Sequence, residues 1–124
     1  DLMHTGDEVP MVGRGTLLKD ALFTISTKRL GVTGVDDGEG RLAGIITDGD
    51  VRRAMTRGAD IFTATAGDVM TVDPKRIAPT ELAAAALRKM EAHAITSLFV
   101  CEPADPRRPI GVLHIHDLLK AGAG

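Results

Sequence analysis

The sequence predicts a mixed α/β protein built from two copies of one β-α-β-β-α unit. Three observations predict it. The chain repeats itself: Asp1-Leu2-Met3 returns as Asp68-Val69-Met70, and Gly44-Ile45-Ile46 with Asp50 returns as Gly111-Val112-Leu113 with Asp117, both 67 residues on. Between these, Leu30 aligns with Ile95 and Val35 with Val100, 65 residues on, so a two-residue adjustment lies near residues 5–10 and another after Val100. Each copy alternates helix-period and extended stretches. Finally, 124 residues make one domain by length. Half of that is too small to hold a core alone, so the two units are expected to pack their sheets as one pseudo-twofold module.

The elements follow in order. A first short strand is expected near Val9–Val12, with Arg76–Ala78 as its partner. From Thr16 onward, Leu17, Leu18, Ala21, Leu22 and Ile25 recur at helical spacing. In the second copy Leu82, Ala86, Leu87, Met90 and Ala94 share a face in an Ala-rich stretch, with Pro79 and Thr80 where a helix should start. Extended runs come next, Val32–Val35 and Thr96–Val100. The turns are Asp36-Asp37-Gly38-Glu39-Gly40 and a loop holding Pro103, Pro106 and Pro109. Leu42–Ile46 and Ile110–Leu113 read as second strands, and Asp48–Thr56 and Ile115–Lys120 as closing helices. This gives a first repeat over 1–57, a linker over 58–66 and a second repeat over 67–124.

Composition narrows the function. Apolar residues are 44%, too many for disorder. No apolar run is long enough to span a membrane, and no basic leader precedes one, so no signal peptide is expected. Fifteen basic and seventeen acidic residues are interspersed, and aromatics are limited to three Phe. A nucleic-acid surface would be basic and clustered, or would carry stacking rings. Cys101 is the lone cysteine, so no intrachain disulfide can form and a reducing, cytoplasmic setting is expected. The start at Asp1 reads as a piece of a longer protein.

The most informative stretch is Gly44-Ile45-Ile46-Thr47-Asp48-Gly49-Asp50, where a strand gives way to a helix. Thr47 suits the N-cap and Asp50 the third helical position, as in a capping box. The same spacing serves a nucleotide. Free N–H groups and the positive dipole end attract phosphate, the Thr hydroxyl bonds a phosphate oxygen, and the carboxylate accepts ribose hydroxyls. Spacing alone leaves both open.

The repeat and this motif together resemble a CBS-domain pair, or Bateman module, over nearly the whole chain. The likeness rests on two D-x-M starts, the Ala/Leu helix and the G-h-h-[T/S]-x-x-D junction before the last helix. It implies adenosine-nucleotide binding in clefts between the copies, with Thr47 and Asp50 on phosphate and ribose. A narrower likeness lies in ITDGDVRRA (Ile46–Ala54), ITSLFV (Ile95–Val100) and GVLHIHDLLKAG (Gly111–Gly122). These are similar to the C-terminal part of arabinose-5-phosphate isomerases, which join a sugar-isomerase domain to a CBS pair and make a precursor of Kdo, an eight-carbon acid of lipopolysaccharide. That resemblance implies a non-catalytic regulatory fragment without catalytic residues, covalently linked to an isomerase domain in its parent and homo-oligomeric through its CBS pairs. The expected ligand is CMP-Kdo, the activated end product; the alternatives are an AMP or ATP sensor and a structural dimerisation module. No cofactor is required.

The second copy departs from the pattern. His114 replaces the Thr/Ser while Asp117 stays. Histidine is a poor cap, but it can donate to an anion and respond to pH. His114, His116 and Asp117 are candidate ligand contacts, as are Arg52 and Arg53 on the first short helix and Thr96 and Ser97 at the strand after the long helix. A metallohydrolase using His114, His116 and Asp117 would need a distant fourth ligand or base that the sequence does not place, so no metal is expected. His4 and His93 read as lone surface histidines, and Ala54, Ala121 and Gly122 as small residues permitting close packing between chains.

Overall fold

The computed structural model describes residues 3–81 and 83–122; Asp1 and Leu2 of the first D-x-M copy, and Leu82 of the expected helix face, lie outside them. The chain forms two compact units, one of Pro10–Pro74 and one of Asp1–Val9 with Lys75–Gly124.

In the 10–74 unit, β1 (Met11–Gly13) runs parallel to β2 (Val32–Asp36), and β2 pairs antiparallel with β3 (Leu42–Thr47). The edge β4 (Thr71–Val72) pairs antiparallel with β3. The helix α1 (Leu18–Lys28) lays Leu18, Ala21 and Ile25 on this sheet, where they meet Val35, Ile46 and Val51. Alternation places Val35 and Ile46 on the covered face, and the 3.6-residue period places the three α1 residues on one stripe. The chain leaves α1 through Arg29 at φ 60, whose N–H donates to the Ile25 carbonyl at 3.2 Å. The β2–β3 turn is built by two aspartates. Asp36 Oδ1 accepts from the N–H groups of Gly38 and Gly40, and Asp37 Oδ1 from those of Glu39 and Arg41. The helix α2 (Asp48–Thr56) closes the unit's repeat.

Residues 58–66, expected to link the copies, are packed structure. Leu17 stands at the α1 N-cap without a side-chain bond. Its helix is capped from outside: Leu18 N–H donates to Ala64 O at 2.8 Å and Lys19 N–H to Ile61 O at 3.0 Å. Ile61, Ala64 and the buried Ala66 join the core. A one-turn helix, α3 (Ala66–Val69), then leads into β4.

The 75–124 unit repeats the plan. β5 (Arg76–Ile77) is parallel to β6 (Ser97–Cys101), and β6 is antiparallel to β7 (Pro109–His114). The helix α4 (Ala83–His93) buries Ala86, Leu87 and Met90 against Leu98 and Val100, with Leu118 from α5 (Ile115–Lys120). It ends at Ala94, again left-handed at φ 53, with Ile95 N–H donating to Met90 O at 2.9 Å. Beside β7, His4 bridges antiparallel to Val112, the position β4 holds in the other unit. A 3₁₀ turn over Gly6–Glu8 follows it. The closing helices α2 and α5 have their expected bounds, α4 begins at Ala83, later than Pro79 and Thr80, and the other boundaries differ by one or two residues. The early strand begins at Met11, after the buried Pro10, whose carbonyl accepts from Gly34 N–H but which has no N–H of its own to give to a ladder. Thr96 lies just ahead of β6. Ala54 is 7% exposed inside its unit, so of the three small residues only Ala121 and Gly122 lie on the surface. Cys101 is buried, and burial pushes its thiol pKa up.

Two glycines set how closely the edge segments approach. A Cβ on Gly44 would meet the Thr71 carbonyl oxygen at 2.6 Å and Met70 Sδ at 2.9 Å; on Gly111 it would meet Met3 Sδ at 2.5 Å and His4 O at 3.1 Å. At Gly44 the tightest clash is with backbone, whereas at Gly111 it is with the mobile tip of a methionine. Gly44→Ala should therefore destabilise by about 1–3 kcal/mol and Gly111→Ala by less. Urea midpoints of the two variants check the order, and equal midpoints contradict it.

Candidate functional site

Strand β3 ends at Thr47, whose extended backbone places its side chain at the N-terminus of α2. The capping box forms in full: Asp50 N–H donates to Thr47 Oγ1 at 3.2 Å, and Thr47 N–H donates to Asp50 Oδ2 at 2.8 Å. The Thr47 hydroxyl also donates to Oδ2, at 3.0 Å. The other carboxylate oxygen, Oδ1, accepts from Arg53 at 2.7 Å and from the Thr71 hydroxyl at 2.8 Å. Asp50 is 7% exposed and Arg53 60%. Burial works to raise the Asp50 pKa. The hydrogen bonds from the Thr47 amide, Thr71, Arg53 and the Thr47 hydroxyl outweigh it and hold the carboxyl below its ordinary value of 3.8. A cleft of about 560 Å³ opens beside this network, lined by Asp50, Arg53, Arg57, Asp68 and Thr71 among others.

Of the candidates in this unit, Thr47, Asp50 and Arg53 are therefore in contact. Arg52 is exposed on α2, outside the network. Sequence reasoning missed Thr71. Its signal was present, because Thr71 directly follows the second D-x-M as His4 follows the first.

That correspondence extends to the 75–124 unit. His4 Nε2 bonds Asp117 Oδ2 at 2.8 Å and His4 Nδ1 bonds Glu8 Oε1 at 2.9 Å, so His4 is no lone surface histidine. It stands where Thr71 stands, and Asp117 where Asp50 stands. With a carboxylate at each ring nitrogen, only the imidazolium satisfies both partners as a donor. The bonds to Asp117 and Glu8 accordingly raise the His4 pKa above 6.5, against the opposing effect of burial. His114 behaves oppositely: burial, followed by repulsion from His116, lowers its pKa. Its Nδ1 accepts the His116 N–H at 3.2 Å, and an accepting nitrogen carries no proton. The expectation that histidine caps poorly is corrected here. A neutral imidazole nitrogen is an acceptor like a hydroxyl, and its longer reach selects the second amide of α5 in place of the third.

His116 meets His114 edge to face, ring centroids 4.8 Å apart. Ser97 lies across the ladder from His114, while Thr96 is exposed and offers its carbonyl to Ile115 N–H at 2.8 Å. Ser97, His114, His116 and Asp117 are thus neighbours, joined by the unforeseen His4. Among the described residues, no group of three or more His, Cys, Asp or Glu side chains is arranged to hold a metal. No helix among them is long and apolar enough to cross a membrane.

Every partner of the Asp50 carboxylate is a donor, whereas half of an asparagine amide donates. Asp50→Asn should lose two of the bonds and cost about 1–3 kcal/mol near neutral pH. The depressed Asp50 pKa gives stability that is present above pH 3.8 and lost as pH falls through the folded-state value. The penalty of Asp50→Asn should shrink in acid, and a penalty independent of pH contradicts the ionised network. His4 has the opposite sign. Its raised pKa gives stability that is full below pH 6.5 and is lost as pH rises through the folded-state value. The stability difference between wild type and His4→Gln should be full below pH 6.5 and narrow as pH rises through the raised folded-state value; a constant difference, read from denaturation midpoints, contradicts it. His114 titrates in the contrary sense in the wild type, so the difference is the quantity to compare.

Residues 1–57 and residues 66–124 each match the CBS domain family model. Over 122 residues, 98% of this chain, it is 48% identical to arabinose 5-phosphate isomerase KdsD of Pseudomonas aeruginosa and 45% identical to that of Escherichia coli strain K12. It spans 37% and 36% of the length of those two proteins. Among solved structures, CBSX2 in complex with AMP superimposes with a TM-score of 0.79 at 21% identity, covering 98% of this chain and 92% of that one. The CBS domain pair of MJ0100 in complex with methylthioadenosine and S-adenosyl-L-methionine gives 0.80 at 21% identity, covering 100% and 94%. At such identities the structures speak for the fold. With the family model matched once in each half, the chain belongs to the CBS domain family, as a tandem pair.

Proposed function

We propose that this chain is the nucleotide-sensing regulatory pair of a D-arabinose-5-phosphate isomerase, and that CMP-Kdo is its preferred ligand, acting as a feedback signal. The observation that carries the reading is the 48% identity to KdsD over 98% of the chain, far above the identity to CBS pairs of other contexts. The reaction itself belongs to the isomerase domain of the parent, and this chain contributes no catalytic residue.

The two polar clusters support the choice of ligand. In the 10–74 unit, Thr47 and Asp50 present a hydroxyl and an ionised carboxylate at a helix N-terminus. A ribose diol would take the place of the Thr71 and Arg53 donors on Asp50 Oδ1, and the released Arg53 would turn to an anionic group. Arg52 supplies a second cation on the same helix. In the 75–124 unit, His114 and His116, with Thr96 and Ser97 nearby, offer N–H and hydroxyl donors where an adenosine site would hold a Thr or Ser, while His4 is held by Asp117 and Glu8. Donors of this kind suit a sugar carboxylate. Occupancy acts on the parent only through the ligand's differential affinity for its two states. Self-association through the pair, in a cytoplasmic parent, is part of this proposal.

A second reading, an adenosine-nucleotide sensor, is favoured by the AMP bound in CBSX2 and by the intact Thr47-x-x-Asp50 spacing. Titration calorimetry with CMP-Kdo, CMP, AMP and ATP separates the two. The expected result is CMP-Kdo at least about tenfold tighter than CMP or AMP, a difference of about 1.4 kcal/mol, weakened by Asp50→Asn. Binding of AMP with no response to CMP-Kdo overturns the feedback reading. A melting temperature unmoved by all four reduces the chain to a structural module.

A further inference from the structure

The two units differ at one place where the repeat requires them to agree. In the 10–74 unit, residues 58–67 lie along the segment leading into α1. Besides the two bonds that cap the helix, Ala66 N–H donates to Thr16 O at 2.7 Å and Gly67 N–H to Arg14 O at 2.9 Å, and Leu17 bridges antiparallel to Thr65. Ile61, Ala64 and Ala66 cover Leu18, Val35, Ile46 and Val51.

In the 75–124 unit the counterparts of Arg14, Thr16, Leu18 and Lys19 are Pro79, Glu81, Ala83 and Ala84. The counterparts of Val35, Ile46 and Val51 are Val100, Leu113 and Leu118. Here the same positions form an apolar groove of about 390 Å³, with Ile77, Val100, Leu113 and Leu118 among its lining and Met3 at its side. Outside α4 itself, no partner among the described residues meets the Ala83 and Ala84 amides or the Pro79 and Glu81 carbonyls. By the 67-residue offset, the counterpart of residues 58–67 is the stretch of polypeptide directly ahead of Asp1.

We propose that this groove is the seat of the segment that leads into Asp1 in the longer parent, docked as residues 58–67 are docked in the other unit. The proposal rests on the reading of the chain as part of a longer protein, whose relatives it spans to 37%. A segment tethered beside Met3 is held at high effective concentration, so four backbone bonds and a few apolar contacts suffice to seat it, where a free peptide would dissociate. The groove also sets a size preference. Ala83 stands where the other unit has Leu18, which leaves the volume of about three methyl-sized carbons unfilled, so the parent's own segment carries a bulkier apolar side chain than Ala64 or Ala66.

The repeat supplies its own test. A copy of residues 58–67, Gly-Ala-Asp-Ile-Phe-Thr-Ala-Thr-Ala-Gly, is fused ahead of Asp1, restoring the register in which the original precedes Asp68. A scrambled ten-residue fusion is the control. The ordered fusion should raise the melting temperature by at least about 4 °C and slow hydrogen exchange at Ala83 and Ala84 at least about tenfold; the scrambled one should do neither. In an Ala83→Leu background, where the groove matches the one the copied segment comes from, the increment in melting temperature should grow. Equal behaviour of the ordered and scrambled fusions overturns the proposal. So does protection of these amides in the unfused chain that rises with concentration, because a second copy would then be the occupant. No nucleotide enters the experiment, so its failure and a failure of the CMP-Kdo reading are read separately.

Discussion

One carboxylate at the third position of each short helix joins pieces of chain that are far apart in sequence. Asp50 takes hydrogen bonds from the end of β3, from its own helix and from Thr71 on the edge segment, and Asp117 holds His4 in the same way. Both arrangements need the edge segment to approach the sheet closely, which the absent Cβ atoms of Gly44 and Gly111 permit. With the glycine in place, a methionine lies flat on the strand and the residue after it comes within reach of the carboxylate. The helix N-terminus is then capped, the edge of the sheet is covered, and a polar cluster is assembled beside apolar packing.

The two copies carry different chemistry on this common scaffold. In the 10–74 unit the carboxylate's partners are an amide, two hydroxyls and an arginine, none of which changes charge near neutral pH. In the 75–124 unit the partner is an imidazole, with two further imidazoles at the head of α5. Their environments move two of them in opposite directions, His4 toward the protonated form and His114 toward the neutral one. Hydrogen bonding to carboxylates drives the first shift and burial the second.

Much of this was legible because it is local. The Ala-rich period of α4, the β-branched residues of β2, the apolar run of β6 and the capping spacing at Thr47 and Asp50 each lie within a few residues. Capping, propensity and periodicity act over that range. What escaped notice depends on residues distant in sequence. Thr71 looks like a residue after a one-turn helix and His4 like a residue near a terminus, and neither shows its partner 21 or 113 positions away. The offset of the repeat held that information only once one of the two pairs was known. Residues 58–66 were obscure for a related reason. Their few apolar side chains have no period of their own, and their order comes from capping α1 and covering its core.

By itself the sequence determined the repeat, the order of elements and the family, since these rest on local pattern and on the comparison of one half with the other. It also determined which residue types stand at each helix head. Tertiary structure decided which edge segment serves which sheet, because that choice depends on how closely two backbones can approach at a glycine. It decided as well that the pKa of His4 rises and that of His114 falls, since the bonds of His4 to Asp117 and Glu8 and the burial of His114 exist only in the folded chain.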